Sequence, residues 1–179
     1  MSSLEWTAYS VTRDTLKQMA RDGIFVSIGD TDTLRGIDEE AIVGLFRPKV
    51  AEQNQGEAMN PLPGIHLTWL GHNRPESAGE IDFDDGIITM LVQVVDRMDR
   101  SDDNNVESYM RWQTDIREWL QKNPYRDLSK NLGEIYFVHV TDTVSPENQA
   151  FISNEARLVQ TIKLFTRSRR DIEVSNYGT

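Results

Sequence analysis

Apolar residues recur along this chain in two rhythms, one of three to four residues and one of two. Near the N-terminus Leu16, Met19 and Ala20 fall at helical spacing, with Thr12 as a candidate cap and Gly23 as the residue that ends the helix. The run Ile24-Phe25-Val26-Ser27-Ile28, closed by Gly29-Asp30, reads as a short strand or an extended arm. Asp38-Glu39-Glu40 precedes the apolar run Ala41-Ile42-Val43-Gly44-Leu45-Phe46, which suits a second helix, because acids favour a helix N-terminus and Pro48 would stop it. Residues 51–64 are polar and rich in breakers, and read as a loop.

The period then falls to two. Ile65, Leu67 and Trp69 share one side of a strand over Ile65–Leu70. Residues 71–86 form a polar, Gly- and Asp-rich connection, after which Ile87–Asp96 is apolar on nearly both sides and should be the central strand. The two make an antiparallel hairpin with a long tip. From about Val106 to Gln121 the helical period returns, with Tyr109, Trp112, Ile116, Trp119 and Leu120 on one stripe and Pro124 beyond its end. Glu134–Val140 and Ala156–Thr166 are two further strands. Arg167-Ser168-Arg169-Arg170 follows, then a polar tail.

This order predicts an α+β fold, an antiparallel sheet built from two hairpins with helices packed on one face. A chain of 179 residues makes one domain, long enough to bury a core. Within it residues 1–36 form a helical or extended N-terminal segment, 37–170 the β-β-α-β-β core and 171–179 a loose tail.

There is no cysteine, which excludes disulfides, thiolate metal sites and a cysteine nucleophile. The start, Met1-Ser2-Ser3-Leu4-Glu5-Trp6, does not have the layout of a signal peptide, and no apolar run is long enough to span a bilayer, so a soluble protein is expected. A formal net charge of −10 argues against general DNA binding, which needs a basic surface. It suits a negative surface past which DNA slides without sticking.

The chemistry in the sequence is sparse. His66 and His139 lie on expected strands, where they are candidates for neighbours in the sheet, but there is no His-Glu-x-x-His motif. Asp30-Thr31-Asp32 lacks the loop glycine and distal glutamate of an EF-hand, and Asp82-Phe83-Asp84-Asp85 has no scaffold motif, so both read as solvated loop acids. No Gly-x-Ser-x-Gly elbow, phosphate loop or dinucleotide fingerprint is present. No cofactor is expected. The arginine run reads as protection of a strand edge sooner than as a phosphate contact.

Four stretches together carry a family resemblance: Pro63-Gly64 leading into Ile65-His66-Leu67-Thr68-Trp69; the long strand ending Val94-Val95-Asp96-Arg97; the helix Tyr109-Met110-Arg111-Trp112 continuing to Ile116-Arg117-Glu118-Trp119-Leu120; and the final strand Leu158–Arg167. In layout, over roughly residues 37–170, the chain resembles the tail terminator and head–tail joining proteins of long-tailed bacteriophages. The resemblance implies a non-enzymatic virion protein, assembled in the host cytoplasm as a hexameric ring. That ring would cap the tail tube and dock to the head connector and neck proteins, with DNA passing through its lumen unbound and no membrane involved. Such a ring needs two different surfaces on each subunit. The acids Glu80, Asp82, Asp84 and Asp85 oppose in sign Arg167, Arg169 and Arg170, and are the candidate contacts between subunits or with a partner. Three other readings stand beside this one. They are another neck ring protein (head-closure or tail-completion), an adaptor binding through 71–86, and a metal-dependent hydrolase using Asp30, Asp32 or Asp82 to Asp85.

Overall fold

Leu4, Ala8, Thr12, Leu16 and Met19 recur every three or four residues and are all buried, which fixes how the first helix lies on the rest of the molecule. The computed structural model describes residues 4–26, 36–45, 63–73, 83–96, 103–125, 134–143 and 156–169. Helix α1 spans Leu4–Arg21. Thr12, expected as its cap, is instead at its middle. The Thr12 hydroxyl donates to the Ala8 carbonyl at 2.8 Å and lies 2.7 Å from the Tyr125 hydroxyl. The helix begins a full two turns earlier because Leu4 and Ala8 extend the same apolar stripe. Its end is as read. Gly23 takes φ +70°, the Gly23 N–H donates to Ala20 O and the Ile24 N–H to Met19 O, each at 3.0 Å. This is the paired arrangement that closes a helix on a left-handed glycine.

The expected second helix does not form. Glu39–Ala41 makes a single 3-10 turn, and strand β1, Ile42–Leu45, follows at once. Asp38 stands where a cap would but its side chain makes no cap hydrogen bond. Ile42 and Val43 are β-branched, and pairing beside Ile65 and His66 outweighs the acids in front of them. Of the run after Gly23, Ile24 and Phe25 lie in a turn and Val26 has no regular structure; Ser27 and Ile28 lie outside the described residues, as do Phe46, Pro48 and the expected tail 171–179.

Strands β2 (Gly64–Asn73), β3 (Phe83–Asp96), β4 (Glu134–Thr143) and β5 (Ala156–Arg169) complete a five-stranded sheet of order β1-β2-β3-β5-β4. Both expected hairpins are present as antiparallel neighbours, and β3, apolar on both sides, is the central strand. The class is α+β, but the sheet is mixed and not wholly antiparallel, because β1 runs parallel to β2. The connection read as 71–86 is shorter than expected. Strand β2 runs on to Asn73 and β3 starts at Phe83, so Asp84 and Asp85 are strand residues paired with Ser168 and Arg167.

Helix α2, Asp103–Gln121, lies beside α1 on one face of this sheet. Tyr109, Trp112, Ile116 and Leu120 are buried, the stripe read from the sequence, while Trp119 is only partly buried and carries the Lys122 ammonium 5.3 Å from its ring centroid. The helices cover Ile65, Leu67, Ile88, Met90, Val92, Ile162 and Leu164, all fully buried. Polar bonds fix the layers. Trp112 Nε1 donates to Val26 O at 3.1 Å, and its ring meets Phe25 edge-on at 6.2 Å. Gln160 on β5 donates through Nε2 to Gln113 O on α2 and to Asp142 on β4, each at 2.8 Å, while Arg117 holds the other oxygen of Asp142. No described helix is long and apolar enough to cross a membrane.

Candidate interaction surface

The sheet face turned away from the helices is unevenly covered. Thr68, Val95 and Val159 are buried there, whereas Leu70 is 47% exposed, Tyr136 50% and Phe137 52%. Two bulges put these side chains outside. In β2 the register slips between Trp69 and Gly71, leaving Leu70 without a partner and returning His72 to the helix-covered side. In β4 it slips between Ile135 and Phe137, so Ile135, Val138 and Val140 all point to the core while Tyr136 and Phe137 do not. Strict alternation would have placed Ile135 and Phe137 together.

On this face Phe165 of β5 lies between Ile87 of β3 and Phe137 of β4 in the register. Its ring is 5.5 Å from that of Phe137 and 6.4 Å from that of Tyr136, and Phe137 stacks on His139 at 6.3 Å. Aromatic clusters of this kind add to plain burial and present a firm apolar surface. Around it stand Lys163, paired across the strands with Thr89 and His139, and Arg167, paired with Asp85 and Glu134. Arg167 Nε and Nη2 donate to the two carboxylate oxygens of Asp85 at 2.8 and 3.2 Å, and its guanidinium lies 6.0 Å from the Tyr136 ring centroid. The hydrogen bond from Arg167 holds the Asp85 carboxyl below its ordinary range.

The acids and arginines expected to meet between subunits therefore meet first within one chain, at Asp85 and Arg167. Asp84 and Arg169 are placed in the same two strands, beside that pair in the register. Glu80, Asp82 and Arg170 lie outside the described residues, as do Asp30 and Asp32. The exposed aromatics were not read as site residues; the signal available was the adjacent pair Tyr136-Phe137, which a regular strand cannot turn to its covered face together.

The remaining polar cluster sits on the other face. His72 Nδ1 is 2.8 Å from Glu5 Oε1, and His72 Nε2 is 3.3 Å from Thr166 Oγ1. The order carboxylate, imidazole, hydroxyl is that of a hydrolytic triad, but the Thr166 hydroxyl belongs to a residue only 2% exposed. The trio ties the first turn of α1 to β2 and β5. His66 and His139 are not neighbours, being three strands apart, about 14 Å at the usual strand spacing. Among the described residues no three His, Asp or Glu side chains converge as metal ligands. No protein-family model matches the chain, and neither does any curated protein.

Proposed function

We propose that this chain is a structural assembly protein that closes into a ring of about six copies, as a phage tail terminator or a neighbouring neck protein does. The observation that carries the reading is the aromatic surface of Tyr136, Phe137 and Phe165 on β4 and β5, on the face the helices leave open. A contiguous apolar patch rimmed by charge is the mark of a protein interface. The β-β-α-β-β layout supports the choice of family, since the resemblance rests on that layout and the two hairpins and α2 hold the expected order. The charge of −10 suits a lumen that lets DNA pass.

Light scattering across a concentration series, with negative-stain imaging of the same samples and of samples mixed with tail tubes, tests this. Rings of about six subunits, or rings seated on tube ends, are expected. A strict monomer that leaves tube ends bare would overturn the reading.

A further inference from the structure

We propose that the ring forms head to tail, with the aromatic patch of one copy seated on the outer side of helix α2 of the next. The proposal rests on the ring reading and adds the two surfaces that build it. On α2 the residues opposite the buried stripe include Glu107, Met110 and Glu118, spaced to share one side of the helix, all exposed and Met110 by 64%. Glu107 and Glu118 make no ion pair among the described residues. Across the subunit, Tyr136 and Phe137 stand beside Lys163, which is exposed and likewise has no ion pair among the described residues. The two surfaces are complementary in kind. One offers a flexible thioether with Glu107 and Glu118 beside it, Arg111 on the same side being bonded to Val26 O. The other offers aromatic rings beside the Lys163 ammonium, and sulfur on aromatic is a favourable contact.

They are also correctly placed. α2 covers one face of β4 and β5 through Gln113, Asp142 and Gln160, and the patch lies on the opposite face of the same two strands. A copy with its donor surface and its acceptor surface on opposite sides can hold one neighbour while docking on another. That is a heterologous contact, the kind from which rings are built when the rotation between copies closes, and it is unavailable to a patch that meets only its own kind.

Phe137→Asp and Met110→Asp each remove one surface. Both side chains are more than half exposed, so the fold is expected to survive, as far-UV circular dichroism and the urea midpoint will report. Each variant alone is expected to raise the midpoint concentration of assembly by about thirtyfold or more, the loss of one interface anchor. Mixed one to one, they are expected to give a species of twice the subunit mass and nothing larger, because each supplies the surface the other lacks. If either aspartate variant loses its fold, Lys163→Glu and Glu118→Lys replace it, each weakening assembly alone and restoring it when combined in one chain. Rings from both single variants at the wild-type midpoint would overturn the head-to-tail contact and leave the ring reading standing. So would loss of assembly in Phe137→Asp with none in Met110→Asp. A wild-type chain that stays monomeric and ignores tube ends would overturn both.

Discussion

Among the described residues Tyr125 is the most deeply placed phenol, and its hydroxyl meets that of Thr12. A hydroxyl has one proton, and that of Thr12 is given to Ala8 O, so the Tyr125 hydroxyl is the donor in the pair. Burial drives its pKa far above the ordinary value, so it stays protonated. Tyr125→Phe is expected to lower stability by about 1 kcal/mol, read as a urea midpoint, since one buried hydrogen bond is lost with little change in shape. Gly86 is less forgiving. A Cβ there would run into His72 Nε2 and come within 3.0 Å of Thr166 Oγ1, both in a packed region. Gly86→Ala is expected to cost about 1–3 kcal/mol, the range for overpacking, and to shift the His72 ring resonances.

Two carboxylates on the surface respond to pH in opposite senses. Asp85 has its pKa lowered in the fold by the hydrogen bond from Arg167. Its contribution is complete above the unfolded carboxyl value of about 3.9 and is lost as pH falls through the lower folded value. Asp115 has its pKa raised, chiefly by desolvation and further by Glu118, with Arg111 opposing. The fold therefore disfavours its charge, and the penalty is present at neutral pH and disappears in acid. Asp115→Asn is expected to raise the urea midpoint at pH 7 and to leave it unchanged near pH 3. Equal gains at both values would show that charge is not the cause.

At the scale of elements, α2 is held by Trp112, which is fully buried, meets Phe25 and Tyr109 edge-on and donates to Val26 O. Trp112→Ala is expected to cost about 3–5 kcal/mol, measured by urea denaturation, through the cavity it leaves, since Val26 O keeps its bond from Arg111 Nη2 at 2.9 Å. This helix was legible to within a turn, because Tyr109, Trp112, Ile116 and Leu120 repeat at steps of three and four, although it starts at Asp103 and not at Val106 and leaves Trp119 only partly buried. Strands β3 and β5 were legible from their long apolar runs, although β3 starts earlier, at Phe83, and β5 runs on to Arg169. What the sequence hid was local. Glu39 and Glu40 resemble the opening of a helix, yet a run as short as Ile42–Leu45 takes its form from the neighbour it pairs with. The bulges at Leu70 and Tyr136 hid most of the candidate surface, since one inserted residue reverses which side chains face out and leaves no mark in composition. Asp85 and Arg167 were legible as opposite charges; that they sit directly across from each other depends on a register set along the whole of β3 and β5.

For the whole molecule, stability should be graded across the sheet. β3 is bonded on both sides from Ile87 to Val95, whereas among the described strands β1 and β4 each have one neighbour. Native-state hydrogen exchange is expected to be slowest for the amides of β3 at Met90 and Val92 and faster for the outward amides of β4. On assembly by the contact proposed above, protection should rise along Tyr136–His139 and on the outer side of α2, with β3 unchanged.

The sheet order has a further result for how the protein is made. Strand β5 is the last described strand in the chain, yet it is the link that joins β4 to the other three. A ribosome has therefore exposed α1, β2, β3 and all of β4 before the strand that gives β4 a place has emerged. Until then Tyr136 and Phe137 have no sheet to stand on, and the surface through which copies would recognise one another does not exist. On the contact proposed above, chain order would delay self-recognition until β5 has been made, so that neighbouring nascent chains on one message would not join before that point.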